Sequence, residues 1–100
     1  MKTAFIIDPK DNVAIATDDI EKSDVVEING MKIESLSEIP KGHKIATKEI
    51  SNNNYVIKYG VPIGRAIGDI KVGEYVHVHN LEDITEELCN EYIKKFMKEA

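Results

Sequence analysis

From residue 3 to residue 80 the chain alternates short apolar runs with clusters of turn-forming residues. Residues 3–7 form an apolar run that ends at Asp8-Pro9, a pair that breaks regular structure. Residues 12–17 are again apolar and of strand length. Residues 25–28 and 31–34 flank Asn29-Gly30, and both of those residues tolerate the positive φ of a tight hairpin turn. Pro40-Lys41-Gly42 is a second turn, feeding a strand over residues 43–48. The polar stretch 51–54 precedes a strand over residues 55–59 that Gly60 closes. Gly64 and Gly68 break up the next apolar stretch, as bulges or close backbone approaches do. Residues 71–74 read as a turn and 75–79 as a strand. So many short strands joined by glycine-bearing turns predict a mainly β fold, a compact barrel or clip rather than a layered α/β domain.

The pattern changes after Asn80. Glu82-Asp83-Ile84-Thr85-Glu86 reads as a helix start with Asp83 as N-cap. Leu88, Tyr92, Ile93, Phe96 and Met97 then share one face at helical spacing, and lysines gather at the far end. The expected organisation is one domain: a β unit over residues 1–82 and a C-terminal amphipathic helix over 83–100. No internal repeat, low-complexity tract or linker is evident. The net charge of −5 disfavours nucleic acid as a partner, since phosphate binding needs surplus Lys and Arg on one face. A small anion needs only a few local cations. The single cysteine, Cys89, excludes an internal disulfide and a cysteine-rich zinc site, and on the helix it reads as a buried thiol. The N-terminal apolar run is too short for a signal peptide and no stretch reaches ~20 apolar residues, so a cytoplasmic protein with no membrane partner is the expectation.

Four groups of residues carry candidate chemistry. On a strand over 75–79, His77 and His79 would point to one face, where two imidazoles can share a metal ion or act on one ligand. Two hydrogen-bonded histidines on a sheet face are the plainer alternative. His43 follows a turn at the start of a strand and can serve as a general acid or base; Lys44 would point to the opposite face. Lys58, Tyr59 and Arg65 surround Gly60 and Gly64, where an arginine can clamp a carboxylate and glycine lets a ligand approach the backbone. Turn glycines with a surface arginine give the same pattern. Asp8, Asp11 and Asn12 either bind a hard cation or form a polar turn bonded to local backbone, and the turn is favoured.

Four segments recur together in one known family. They are Pro9-Lys10-Asp11-Asn12-Val13-Ala14; Ile39-Pro40-Lys41-Gly42-His43-Lys44-Ile45-Ala46; Ile57-Lys58-Tyr59-Gly60 with Ile63-Gly64-Arg65-Ala66; and Gly73-Glu74-Tyr75-Val76-His77-Val78-His79-Asn80. Their order and spacing resemble the N-terminal SAF-type domain of altronate/galactarate dehydratases and the small subunit of the related sulfolactate sulfo-lyases. The resemblance implies a β-clip, SAF-like fold. It implies β-elimination of water from a sugar acid to give a 2-keto-3-deoxy acid, with iron or manganese in the assembled enzyme and no metal required of this chain alone. It implies a large catalytic dehydratase subunit as partner, with this chain inactive by itself; a homo-oligomer through the apolar helix face is open. The matching polar positions are His43, Lys44, Lys58, Tyr59, Arg65, His77, His79 and Asn80. Of these, His43, His77 and His79 are expected to be catalytic, His77 and His79 to be the candidate metal ligands, and Lys44, Lys58, Tyr59, Arg65 and Asn80 to bind substrate. The competing expectation is a non-catalytic SAF-type module for carbohydrate binding or assembly.

Overall fold

The computed structural model describes residues 1–83. The elements are β1 (Lys2–Phe5), β2 (Val13–Ala16), β3 (Val25–Ile28), β4 (Met31–Glu34), β5 (Lys44–Ala46), β6 (Tyr55–Lys58), β7 (Val61–Ala66), β8 (Tyr75–Val76) and β9 (Leu81–Asp83). They form a six-stranded sheet in the order β4-β3-β1-β2-β5-β8 and a three-stranded sheet in the order β6-β7-β9. The pairing is antiparallel except where β1 meets β3. The mainly β expectation is therefore met. The expected C-terminal helix and Cys89 lie outside the described residues. Glu82 and Asp83, expected at the helix start, belong to β9, which pairs with β7 across residues 64–66. No helix among the described residues is long and apolar enough to cross a membrane.

Asn29-Gly30 makes the expected hairpin turn, with φ of 46° and 90° and Ile28 directly opposite Met31. Two consecutive positive φ angles give the turn a twist that matches its strands. Tyr59 and Gly60 do the same between β6 and β7, at 57° and 75°. Those two hairpins belong to a duplicated plan that the sequence reading missed. Positive φ at Ser23, Asn29 and Gly30 recurs about thirty residues on, at Asn53, Tyr59 and Gly60. The two-way bridge Ile20–Ile39 recurs as Ile50–Ile70. Gly42, which donates to Ala16 O, recurs as Gly73, which donates to Ala46 O. The spacing slips by one residue between the early and late parts of the repeat. The cause is Ile63: Val56 faces Gly64 while Ile57 faces Pro62, so β7 carries one extra residue in a bulge.

Each half has its own buried cluster. Ala16, Ile20, Val26, Ile39 and Ile45 belong to the first, and Ala46, Ile50, Val56, Ile70 and Val76 to the second. Adjacent residues of β5 serve different clusters, Ile45 one and Ala46 the other, because strand side chains alternate. In β8, Tyr75 packs on the first cluster and Val76 enters the second. Strands β5 and β8 thus form the seam between the halves. Gly64 does not interrupt its strand but lies inside β7, where a Cβ would come within 2.4 Å of Leu81 Cδ1 and 2.5 Å of Glu82 O. The close approach expected there is real, and it is what seats β9.

Candidate functional site

The seam brings the histidines together. Antiparallel pairing sets Ile45 opposite Tyr75 and Lys44 opposite Val76, so His43 and His77 leave the two strands at the same end. His43 Nδ1 lies 2.5 Å from the Tyr75 hydroxyl. The His77 ring stacks on the Tyr75 ring, 5.4 Å between centroids and 8° from parallel, and the His43 centroid is 4.7 Å from that of His77. The His79 ring is tilted against the other side of the arrangement, 5.6 Å from the Tyr75 centroid. Three imidazoles therefore surround one phenol.

The expected strand over 75–79 does not form; β8 ends at Val76. Asn80 is the reason. Its Oδ1 accepts the His77 N–H at 2.9 Å, its Nδ2 donates to Tyr75 O at 2.8 Å, and its own N–H donates to His77 O at 3.1 Å. A side-chain amide that satisfies the backbone locally competes with the ladder and turns the chain. His77 and His79 consequently share a site through a turn rather than through strand alternation. Asn80 is 7% exposed with both amide atoms engaged, so the structure places it as the fastening of the histidine loop.

Lys44 alternates away from His43 along β5 and is half-buried. Burial first, and then the nearby Lys58 ammonium, push its pKa below the ordinary lysine value. The charge acting on Lys44 is thus another cation, a pairing that an incoming anion would relieve. Lys44 also reaches His77, whose pKa lies below the ordinary imidazole value through desolvation first, then the charges of His43, Lys44 and His79. A neutral His77 at pH 7 is a competent proton acceptor. Tyr59 is half-exposed at the tip of the β6–β7 turn, with Lys58 Nζ 4.8 Å from its ring centroid. Arg65 lies against Tyr55, 5.7 Å from that ring, and faces Tyr55 and Glu82 across the ladder.

Two contributors escaped the sequence reading. Tyr75 was absent from the candidate set, although its two-residue spacing from His77 was the available signal. Asp11 was read as a turn residue bonded to local backbone, and it is more than that. It is 1% exposed, and its carboxylate accepts Ile7 N–H at 3.2 Å, Asp8 N–H at 3.1 Å and, across the chain, Gly60 N–H at 2.8 Å. It therefore clamps the turn that presents Lys58 and Tyr59. Asn12 extends the clamp, accepting Ile57 N–H at 2.7 Å and donating to Tyr55 O at 2.9 Å. With its oxygens committed to N–H donors, Asp11 is arranged as a backbone acceptor and not as a cation ligand.

A divalent ion was expected at His77 and His79. Among the described residues no three His, Cys, Asp or Glu side chains converge as ligands. Two imidazoles fall short of the donor sets that proteins use for iron or manganese, so this part of the chain does not fit a self-contained metal centre. A cavity of about 440 Å³ borders Tyr75 on its other flank. Asp19, Glu21 and Glu38 line it, and those carboxylates would repel an anionic ligand. The imidazoles gather at the seam instead, with Lys44 on β5 and Lys58 on β6 near enough to act on Lys44.

Comparison with known proteins places the chain in a family. Residues 2–84 match the altronate/galactarate dehydratase SAF domain. The chain is 45% identical over 80 residues to an altronate dehydratase of Bacillus subtilis (strain 168), an alignment covering 80% of this chain and 16% of that protein. It is 36% identical over 84 residues to the galactarate dehydratase (L-threo-forming) of Escherichia coli (strain K12), covering 74% of this chain and 14% of the relative. It is also 44% identical over 52 residues to the (2R)-sulfolactate sulfo-lyase subunit alpha of Chromohalobacter salexigens, covering 52% of this chain and 55% of that subunit. The chain thus spans about one-sixth of the first of these dehydratases and over half of the sulfo-lyase subunit. With a family match across residues 2–84, this chain belongs to the altronate/galactarate dehydratase SAF domain family.

Proposed function

We propose that this chain is the small component of a sugar-acid dehydratase-type lyase, and that its seam forms one wall of an active site completed by a large catalytic polypeptide. The observation that carries the reading is the convergence of His43, His77 and His79 on Tyr75, with the Lys44–Lys58 pair alongside. Eliminating water from a 2,3-dihydroxy acid needs a base for the C2 proton, charge stabilisation for the resulting enolate, and an acid for the hydroxyl leaving C3. The C2–H electrons form the C2–C3 double bond as the C3–O bond breaks and water departs. The enol then takes a proton at C3 and becomes the 2-keto-3-deoxy acid. Histidines supply the acid and base, and Lys44 with Lys58 supplies the positive charge for the carboxylate. On this reading the iron or manganese of the assembled enzyme belongs to the partner, and no step here is assigned to it.

The likeness to a sulfo-lyase subunit alpha supports the split arrangement. The test is reconstitution. The chain is assayed alone and mixed with a candidate large dehydratase subunit, using altronate, galactarate and sulfolactate. Turnover is expected from the mixture alone, and His43→Ala or His77→Ala should abolish it. Full turnover by the isolated chain would refute the split enzyme. Histidine variants that weaken binding yet leave turnover intact would favour a non-catalytic binding module.

A further inference from the structure

We infer that Tyr75 is the positioning residue of the histidine cluster, holding neutral His43 as the tautomer protonated at Nε2. This rests on, and deepens, the lyase reading of the site. The contact is specific: the Tyr75 hydroxyl lies 2.5 Å from His43 Nδ1 in a part-buried setting. The Tyr75 ring is anchored from beneath, packed on the first buried cluster and paired directly with Ile45. An anchored phenol cannot follow the imidazole if it rotates, so the hydrogen bond fixes the ring as well as its proton.

The direction of that bond determines what His43 can do. A neutral imidazole has one N–H and one acceptor nitrogen, and a phenol O–H is a ready donor. With the hydroxyl donating to Nδ1, the imidazole proton sits on Nε2. His43 then offers an N–H to a ligand, which suits an acid acting on a departing hydroxyl. After protonation, Nδ1–H can donate back to the phenol oxygen, so the same contact supports both states.

The Tyr75 ring acts on His77 differently. The near-parallel stack sets the plane of that imidazole, while Asn80 holds its backbone. The His77 ring thus stands beside that of His43, with 4.7 Å between centroids. The phenol thereby treats the two imidazoles differently: it hydrogen-bonds His43 and stacks on His77. A sequence-level reading cannot make that distinction, since the three histidines are alike in composition.

The experiment reads tautomers directly in the ¹⁵N-labelled full chain by long-range ¹H–¹⁵N correlation above the titration range. In the native protein His43 is expected with Nδ1 unprotonated and Nε2 protonated. Tyr75→Phe keeps the ring and its packing but removes the hydroxyl, so His43 should relax to a mixture while the His77 and His79 signals hold. Native His43 found protonated at Nδ1, or unchanged in Tyr75→Phe, overturns the inference; the first result needs no variant and is immune to misfolding. In the reconstituted complex, Tyr75→Phe should lower kcat by roughly tenfold to a hundredfold with KM little changed, the range expected when a general acid is misplaced. The expected tautomers with turnover unaffected by Tyr75→Phe would keep the tautomer assignment and overturn His43 as the acid of the reaction, whereas no turnover by the native complex would refute the lyase reading instead.

Discussion

Replacing Asp11 by alanine should strike both the fold and the site, and the structure allows the effect to be sized. The carboxylate accepts three backbone N–H groups, from Ile7, Asp8 and Gly60, while itself 1% exposed. Hydrogen bonds to a charged group contribute about 1.5–3 kcal/mol each, and those of a loop near the surface belong at the low end. Losing all three puts Asp11→Ala at roughly 4 kcal/mol, allowing for little help from water at Gly60. In a domain of this size each kcal/mol moves Tm by about 4–8 °C, so a fall of at least roughly 15 °C at pH 7 is expected. The pH dependence gives a sharper test. Burial alone would raise the Asp11 pKa, but N–H groups of Gly60, Asp8, Ile7 and Tyr59 outweigh it and bring it below the ordinary 3.8. The folded state therefore binds that proton less readily than the unfolded state. The stabilisation is complete above the unfolded value and is lost as pH falls through the lower folded one. Urea titrations of native and Asp11→Ala protein from pH 7 to pH 2.5 should show a gap that closes below about pH 4. A gap under about 1 kcal/mol at pH 7, or one unchanged by acid, would show that the clamp is not what holds this turn.

Gly64→Ala should detach β9, since a methyl group meets the Leu81 side chain and a backbone carbonyl that cannot move aside. A loss of about 1–3 kcal/mol is expected, with faster amide exchange along the β7–β9 ladder than elsewhere. Gly68→Ala meets nothing within 4 Å and is strained only by its φ of +80°, so it should cost about 1 kcal/mol and leave that ladder protected. His77 should titrate below the ordinary imidazole midpoint by NMR, and Lys44→Met should move it upward by removing a neighbouring positive charge. An unmoved midpoint would place Lys44 too far away to act on the cluster.

The sequence disclosed some of this architecture for physical reasons that can be named. Asn29-Gly30 was legible because few residues accept two positive φ angles in succession. Tyr59-Gly60 makes the same turn without that signature, because Asp11 and Asn12 supply from outside what the dipeptide lacks. The alternation in Tyr75-Val76-His77-Val78-His79 imitates a strand, and the local bonds of the Asn80 amide to Tyr75 and His77 end it early. The histidines were still identified as a group, since a turn and a strand end can deliver side chains to the same place. The duplication was hidden because the halves share only sparse landmarks, such as Ile20 and Ile50, and the Ile63 bulge puts their spacing out of step. Lys44 and Arg65 were interchangeable on paper as carboxylate binders. The fold separates them by giving Lys44 a second cation for a neighbour and Arg65 an aromatic ring.

Strand β8 is two residues long and is the outermost member of its sheet. Its ladder bonds are few, so what holds it is packing: Val76 is fully buried in the second cluster and Tyr75 rests on the first. The segment beyond Val76, which carries His77 and His79 and is tied back by the Asn80 amide, can therefore adjust while the two buried clusters remain intact.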